Sequence, residues 1–246
     1  MNQPVNDQVT PAETAEILRL AEQSLEVEGD FVELGCYRGD TSVLLGKLLQ
    51  KPVEKLCKNH DKSVENLCKT PQNLCKNLWI YDSFAGLPDK TPEDSSGAGQ
   101  NFQKGELLVS KREVIEKLRK HGLKAASHLN PGNCSSQATS PDSNLSTVIV
   151  KKAWFDDLTP QDLPDVIAFA FLDGDLYESI RVSLKLVVPR LSEQGIIIVH
   201  DYNNPELPGS ARAVDEFLRS HSEFRLQVRH TLAILTRVSA KGAPRA

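Results

Sequence analysis

Gly29-Asp30-Phe31-Val32-Glu33-Leu34-Gly35-Cys36-Tyr37-Arg38-Gly39-Asp40-Thr41-Ser42 reads as a strand, a glycine turn and the start of a helix. Phe31, Val32 and Leu34 form a short apolar run of the buried-strand kind. Glu33-x-Gly35-x-x-x-Gly39 closes the run, and Val43, Leu44, Leu45, Leu48 and Leu49 follow at helical spacing. Such a unit lays a nucleotide-like ligand across the carboxyl end of a parallel strand. Its glycines supply either positive φ or room for a ligand to meet backbone. The spacing is not that of a dinucleotide site, because Tyr37 stands where the second glycine would admit a pyrophosphate. An acid two residues before the first glycine suits a ligand with a cationic amine, and S-adenosylmethionine (SAM) is one. The plainer alternative is an ordinary strand-to-helix turn.

The 246 residues suit one α/β domain, and the net charge of −4 gives a nucleic-acid partner no support. No apolar run reaches membrane-spanning length, and Met1–Asp7 lacks the basic and apolar regions of a signal peptide. The five cysteines (36, 57, 68, 75 and 134) are odd in number and mostly follow lysine-rich or polar sequence, which predicts a reduced, cytoplasmic protein.

Working outward, Thr10-Pro11-Ala12-Glu13 is a capping box ahead of a helix whose apolar face is Ile17, Leu18, Ala21 and Leu25. Residues 51–77 hold six lysines against three acids and repeat a Leu-Cys-Lys theme at irregular spacing. Cys57, His60, Cys68 and Cys75 could surround zinc, but no Cys-x-x-Cys pair occurs, so a polar insertion is the stronger reading. Leu78–Asp82 is the next strand, and Asp89 to Lys104 is a loop, either disordered or a lid. A helix is expected over Gly105–His121, with a second polar insertion at 124–146. Strands are expected at Thr147–Val150, Asp165–Phe171 and Gly195–Val199, with helices before Leu191 and over Ala211–Ser220. Phe224–Arg229 and Leu232–Val238 lie close enough to force an antiparallel pair. The pattern predicts an α/β fold: a Rossmann-like, doubly wound, mostly parallel sheet ending in an antiparallel hairpin, all in one domain over 1–246.

Four strand ends carry acids: Glu33, Asp82, Asp173 and Asp201. A carboxylate after the second strand commonly accepts ribose hydroxyls, although Asp82 could equally serve the turn. Asp173 and Asp201 end strands expected to be neighbours, so they can converge on a divalent ion such as Mg²⁺. His200 beside Asp201 would move the preference toward Mn²⁺, Fe²⁺ or Zn²⁺ if it ligates; the alternative is a core histidine on the opposite face. Asp173 and Asp175 could also be no more than an Asp-Gly turn.

Phe-Val-Glu-Leu-Gly-Cys-Tyr-Arg-Gly (31–39), Tyr-Asp-Ser-Phe-Ala-Gly-Leu-Pro (81–88), Trp-Phe-Asp-Asp (154–157), Leu-Asp-Gly-Asp-Leu-Tyr-Glu-Ser (172–179) and Val-His-Asp-Tyr (199–202) resemble the macrocin O-methyltransferases, the TylF-like group. That resemblance implies a class I methyltransferase fold and SAM-dependent methylation of a sugar hydroxyl. It implies that Glu33, Gly35, Tyr37 and Ser42 line the methionine side of SAM. Asp82, with Ser83 beside it, would take the ribose, and Asp156 the adenine amine. Asp173 and Asp201 match the family's metal aspartates, whereas His200 stands where the family usually has Asp.

A sugar hydroxyl is too weak an acid to ionise at neutral pH, so a metal-bound acceptor and a nearby carboxylate are expected. Asp173 is the first candidate for ligand and proton acceptor, with Asp175 second. The expected partner is a small-molecule hydroxyl acceptor, with no nucleic acid and no membrane, and a homo-oligomer is compatible with the sequence. Two rivals are an NAD-dependent oxidoreductase, disfavoured by Tyr37 and the hairpin, and a SAM-binding relative with altered acceptor chemistry.

Overall fold

The computed structural model describes residues 8–50, 76–95, 102–127 and 146–238. Residues 51–75 and 128–145 lie outside them, and so does the candidate zinc cluster. Eight strands form one sheet: β1 (Asp30–Leu34), β2 (Leu78–Asp82), β3 (Lys124–Ala126), β4 (Thr147–Lys152), β5 (Ile167–Leu172), β6 (Leu191–Val199), β7 (Phe224–Arg229) and β8 (Leu232–Arg237). Their order is β3-β4-β2-β1-β5-β6-β8-β7, and β8 alone runs antiparallel to its neighbours. The chain builds outward from β1 on one side, then crosses back to place β5 on the other. The crevice between the carboxyl ends of β1 and β5 is therefore the topological switch point.

Strand alternation sends Phe31 to one face and Val32 and Leu34 to the other. Helices α1 (Pro11–Gln23), α2 (Asp40–Leu49) and α3 (Lys111–Lys120) cover the first face through Ile17, Leu20, Leu45, Leu48, Val114 and Leu118. Helices α4 (Tyr177–Val187) and α5 (Pro208–Ser220) cover the second through Ile180, Leu184, Val187, Ala213 and Val214. No helix among the described residues is long and apolar enough to cross a membrane.

Three boundaries differ from the sequence reading. Helix α3 begins at Lys111, because Ser110 and Glu113 form a capping box there; Leu107 and Leu108 stay in the preceding loop. The stretch 124–146 opens with β3, which pairs in parallel with β4. Lys-Ala-Ala carries no alternation, so only the neighbouring strand reveals it. Lys76 and Asn77, assigned to the first insertion, are buried parts of the fold. Lys76 Nζ donates to the carbonyls of Gly29 (2.6 Å) and Val27, and the Asn77 amide donates to Asp30 Oδ1 (2.8 Å). Burial pulls the Lys76 ammonium down to about 8 against the opposing pull of Asp30 and Glu28.

Lys76→Met keeps the aliphatic stem but orphans two carbonyls, so urea unfolding should show a loss of about 1–3 kcal/mol. A loss below about 0.5 kcal/mol, the size of an ordinary surface change, would show that Lys76 is not an anchor.

Candidate active site

The turns that leave the four central strands share one backbone trait. Tyr37 (φ 43°), Phe84 (φ 47°), Asp175 (φ 60°) and Asp201 (φ 58°) follow β1, β2, β5 and β6, all in the left-handed region. Non-glycine residues enter it at a cost, and they gather where function needs a particular side-chain direction. Gly35 (φ 90°) has a harder constraint, since a Cβ there would lie 2.0 Å from the Asp173 carbonyl oxygen. Only glycine lets the ends of β1 and β5 close together.

Above these turns lies a cavity lined by Glu33, Gly35, Tyr37, Asp82, Ser83, Asp156, Asp173 and Asp175. Eight residues singled out from sequence thus meet on one surface. Trp154, 37% exposed, and Leu107 also line it. Trp154 appeared in the sequence only as part of a motif, and Leu107 was assigned to a helix, so neither stood out.

Glu33 is fully buried in the cavity wall. Its Oε2 accepts from Ser42 Oγ at 2.6 Å, while Oε1 has no partner. Burial first, then the charges of Asp173 and Asp82, push its carboxyl up to about 8 against the Ser42 bond. Ser42, expected to touch the ligand, is instead buried behind the wall and holds Glu33 in place. Asp82 serves the turn as well as the cavity. Its Oδ2 accepts from the amides of Cys36 (2.9 Å) and Tyr37 (3.3 Å), and its Oδ1 accepts from Phe84 N (2.7 Å). Ser83 Oγ donates to the Gly86 carbonyl and accepts from Ala85 N, so it also shapes that loop.

Beside the cavity, Asp173, His200 and Asp201 bring ligand-type atoms within 4.8 Å of one another. Strand β6 ends at Val199, and the left-handed turn at Asp201 breaks the alternation that would have separated the two side chains. His200 is therefore both buried and turned toward the acids. Its Nδ1 lies 2.8 Å from Asp173 Oδ1 and 3.0 Å from Asp201 Oδ2, and its Nε2 lies 3.7 Å from Glu13 Oε2. Burial works against the imidazolium, but the Asp173 charge, the bonds to Asp173 and Asp201 and the nearby Glu13 carboxylate hold its proton far more tightly than usual. Asp175 is pushed well above the ordinary carboxyl range by burial and by the Asp173 and Asp201 charges. The donor set fits a divalent ion. Neighbouring ligands on an octahedral ion with bonds of about 2.1 Å are about 3 Å apart, the spacing found around Nδ1.

Residues 140–229 match the family model for macrocin-O-methyltransferase (TylF). The chain is 29% identical over 194 residues to demethyldecarbamoylnovobiocin O-methyltransferase of Streptomyces niveus, covering 78% of this chain and 58% of that one. It is 26% identical over 180 residues to a rhamnosyl-tetracenomycin-C 4'-O-methyltransferase of Streptomyces olivaceus, covering 72% and 54%. The chain thus spans little more than half the length of these relatives. Among solved structures, the O-methyltransferase NovP superposes with a TM-score of 0.64 at 24% identity, over 93% of this chain and 80% of that one. The calicheamicin methyltransferase CalS11 gives 0.64 at 19% identity, over 96% and 87%. The chain shares its fold with these two structures, a mostly parallel α/β sheet with antiparallel C-terminal strands. Over residues 140–229 the chain matches the macrocin O-methyltransferase (TylF) family, which bears out the resemblance carried by its motifs.

Proposed function

We propose that the protein is a SAM-dependent O-methyltransferase, assisted by a divalent ion, that acts on a sugar-like hydroxyl of a small molecule in the cytoplasm. The observation that carries this reading is the buried Glu33 carboxyl, with one oxygen unpartnered in the wall of the cavity. Buried polar atoms in native proteins are satisfied, so the free oxygen calls for a donor from the ligand, and a carboxylate favours a cationic one. The acceptor class is supported by the relatives, both named as O-methyltransferases of small molecules, one of them a rhamnosyl compound. A nicotinamide cofactor is disfavoured, because it brings phosphates rather than an ammonium group to this wall.

SAM supplies a methyl group on a sulfonium centre that leaves by in-line displacement. Glu33 would hold its ammonium group, and the Cys36–Tyr37 turn, shaped by Asp82, would lie along the methionine and ribose. Asp82 keeps accepting capacity on Oδ1 for a ribose hydroxyl, since that oxygen accepts from the Phe84 amide and has further lone-pair sites. Asp156 would meet the adenine amine at the cavity rim. Asp173 Oδ1, His200 Nδ1 and Asp201 Oδ2 would hold the ion, which supplies Lewis acidity toward the acceptor oxygen. Asp173 is already engaged by His200, which leaves Asp175, in the wall of the same cavity, as the other carboxylate placed to take the proton.

Glu33 tests the binding role. A carboxyl near 8 is protonated at pH 7, so taking up the SAM ammonium should expel its proton. Calorimetry at pH 7 in two buffers of different ionisation enthalpy should show nearly one proton released per SAM in the wild type and none in Glu33→Gln. The variant should also bind about 1.5–3 kcal/mol more weakly. Equal affinity and no buffer dependence would remove Glu33 from the site.

The same residue should shape the stability curve. Its carboxyl lies at about 8 in the folded protein against an ordinary value of 4.5. A raised carboxyl contributes fully below the unfolded value and loses that contribution as pH climbs through the folded one. Glu33→Gln should therefore gain on wild type between pH 4.5 and 8, by on the order of 3–5 kcal/mol in urea titrations. A gap that stays constant with pH would contradict the buried, half-satisfied carboxyl.

A further inference from the structure

We infer that Glu13, at the start of α1, is the positioning carboxylate of the divalent-ion site: it fixes the His200 ring so that Nδ1 faces Asp173 and Asp201, and makes the site one that prefers Mn²⁺, Fe²⁺ or Co²⁺ to Mg²⁺. This rests on the ion-assisted reading above and names the residue that sets its selectivity.

Glu13 forms a capping box with Thr10, but capping does not explain where it sits. The capping glutamate of α3, Glu113, makes the same bonds to Ser110 from the exposed surface. Glu13 is only 2% exposed, a costly place for a carboxylate unless each oxygen is used. Both are used. Oε2 accepts from Thr10 N (2.9 Å) and Thr10 Oγ1 (2.7 Å) and faces His200 Nε2. Oε1 accepts from Thr231 N (3.2 Å) and Thr231 Oγ1, in the turn between β7 and β8. Held at both oxygens, the carboxylate cannot swing away from the ring.

A carboxylate on one ring nitrogen sets which nitrogen keeps its hydrogen when the other ligates. Here Nε2 faces Glu13, which leaves Nδ1 for the ion. Two carboxylates converge on Nδ1, at 2.8 and 3.0 Å, and a single N–H serves one acceptor well and two poorly. An ion between the three groups would serve both. Imidazole with carboxylates favours borderline ions over the hard Mg²⁺. Carboxylate partners of ligating histidines typically change metal affinity by about 10–100-fold.

The test uses the full chain, stripped of metal, titrated calorimetrically with Co²⁺ and with Mg²⁺, with the visible absorption of bound Co²⁺ recorded. Wild type should bind Co²⁺ at least about tenfold more tightly than Mg²⁺. Glu13→Gln, which preserves a capping box, should stay folded, lose about 10–100-fold in Co²⁺ affinity and shift the Co²⁺ band, with a smaller change for Mg²⁺. Thr10→Ala weakens the cap and removes one of the two Thr10 bonds on Oε2 but leaves the carboxylate, so it should lower the melting temperature and cost much less Co²⁺ affinity than Glu13→Gln. The inference falls if wild type shows no preference for Co²⁺, if Glu13→Gln leaves affinity and spectrum unchanged, or if Thr10→Ala loses as much affinity as Glu13→Gln. Should Glu13→Gln not fold, Thr231→Val, which removes the hydroxyl bond to Oε1 and keeps the amide one, should weaken Co²⁺ in the same direction, and unchanged affinity there overturns the inference. SAM calorimetry on the same samples separates the levels: lost SAM binding with Co²⁺ selectivity intact would sink the methyltransferase reading alone.

Discussion

The approach of the β1 end to the β5 end is the constraint on which the site depends. Gly35 packs against the Asp173 carbonyl so closely that any side chain would collide with it. The Asp173 amide in turn donates to the Leu34 carbonyl at 2.8 Å, and the Gly35 amide to Tyr81 at 2.9 Å. These bonds carry the sheet's pairing past its last regular residues. Glu33, Asp82, Asp173 and Asp175 therefore reach one cavity although 140 residues separate Glu33 from Asp173. Push β1 and β5 apart, and Glu33 and Asp175 no longer line the same cavity.

That convergence concentrates negative charge. Glu13, Asp173, Asp175 and Asp201 lie around His200, Glu33 and Asp82 line the cavity beside them, and burial raises the proton affinity of Glu33 and Asp175. Those raised carboxyls hold protons where, on the function proposed above, a sulfonium ligand and a divalent ion would bring positive charge. Such a site destabilises the free protein and rewards the ligands, a common tension between stability and activity.

Much of the fold was legible because its signals are local. The capping box at Thr10–Glu13, the glycine turn at 35–39 and the apolar run at 195–199 each carry their own chemistry. The final hairpin was legible from the short His230-Thr231 connection. What escaped depends on neighbours. Strand β3 is three residues that pair only because β4 offers an edge, and Lys76 lies in lysine-rich sequence that gives no sign of two waiting carbonyls. At the site, residue types were readable but not second roles. Ser42 supports Glu33, Asp82 ties down three amides, and the turn at Asp201 brings His200 to the face that strand alternation would deny it. Glu13 read as a helix cap, and its contacts with Thr231 and His200 span distances no sequence window covers.

The bond from Glu13 to Thr231 joins positions 218 residues apart. Thr231 sits in the turn that delivers β8 to its place beside β6. Glu13 is synthesised 218 residues ahead of Thr231, and contacts of such separation form late because the intervening chain must be closed first. The glycine turn is local and can form on a part-made chain, whereas the Glu13–Thr231 contact must wait for β7 and the turn beyond it. A chain stalled before that hairpin has its first helix capped by Glu13 but lacks the contact that holds the carboxylate's second oxygen.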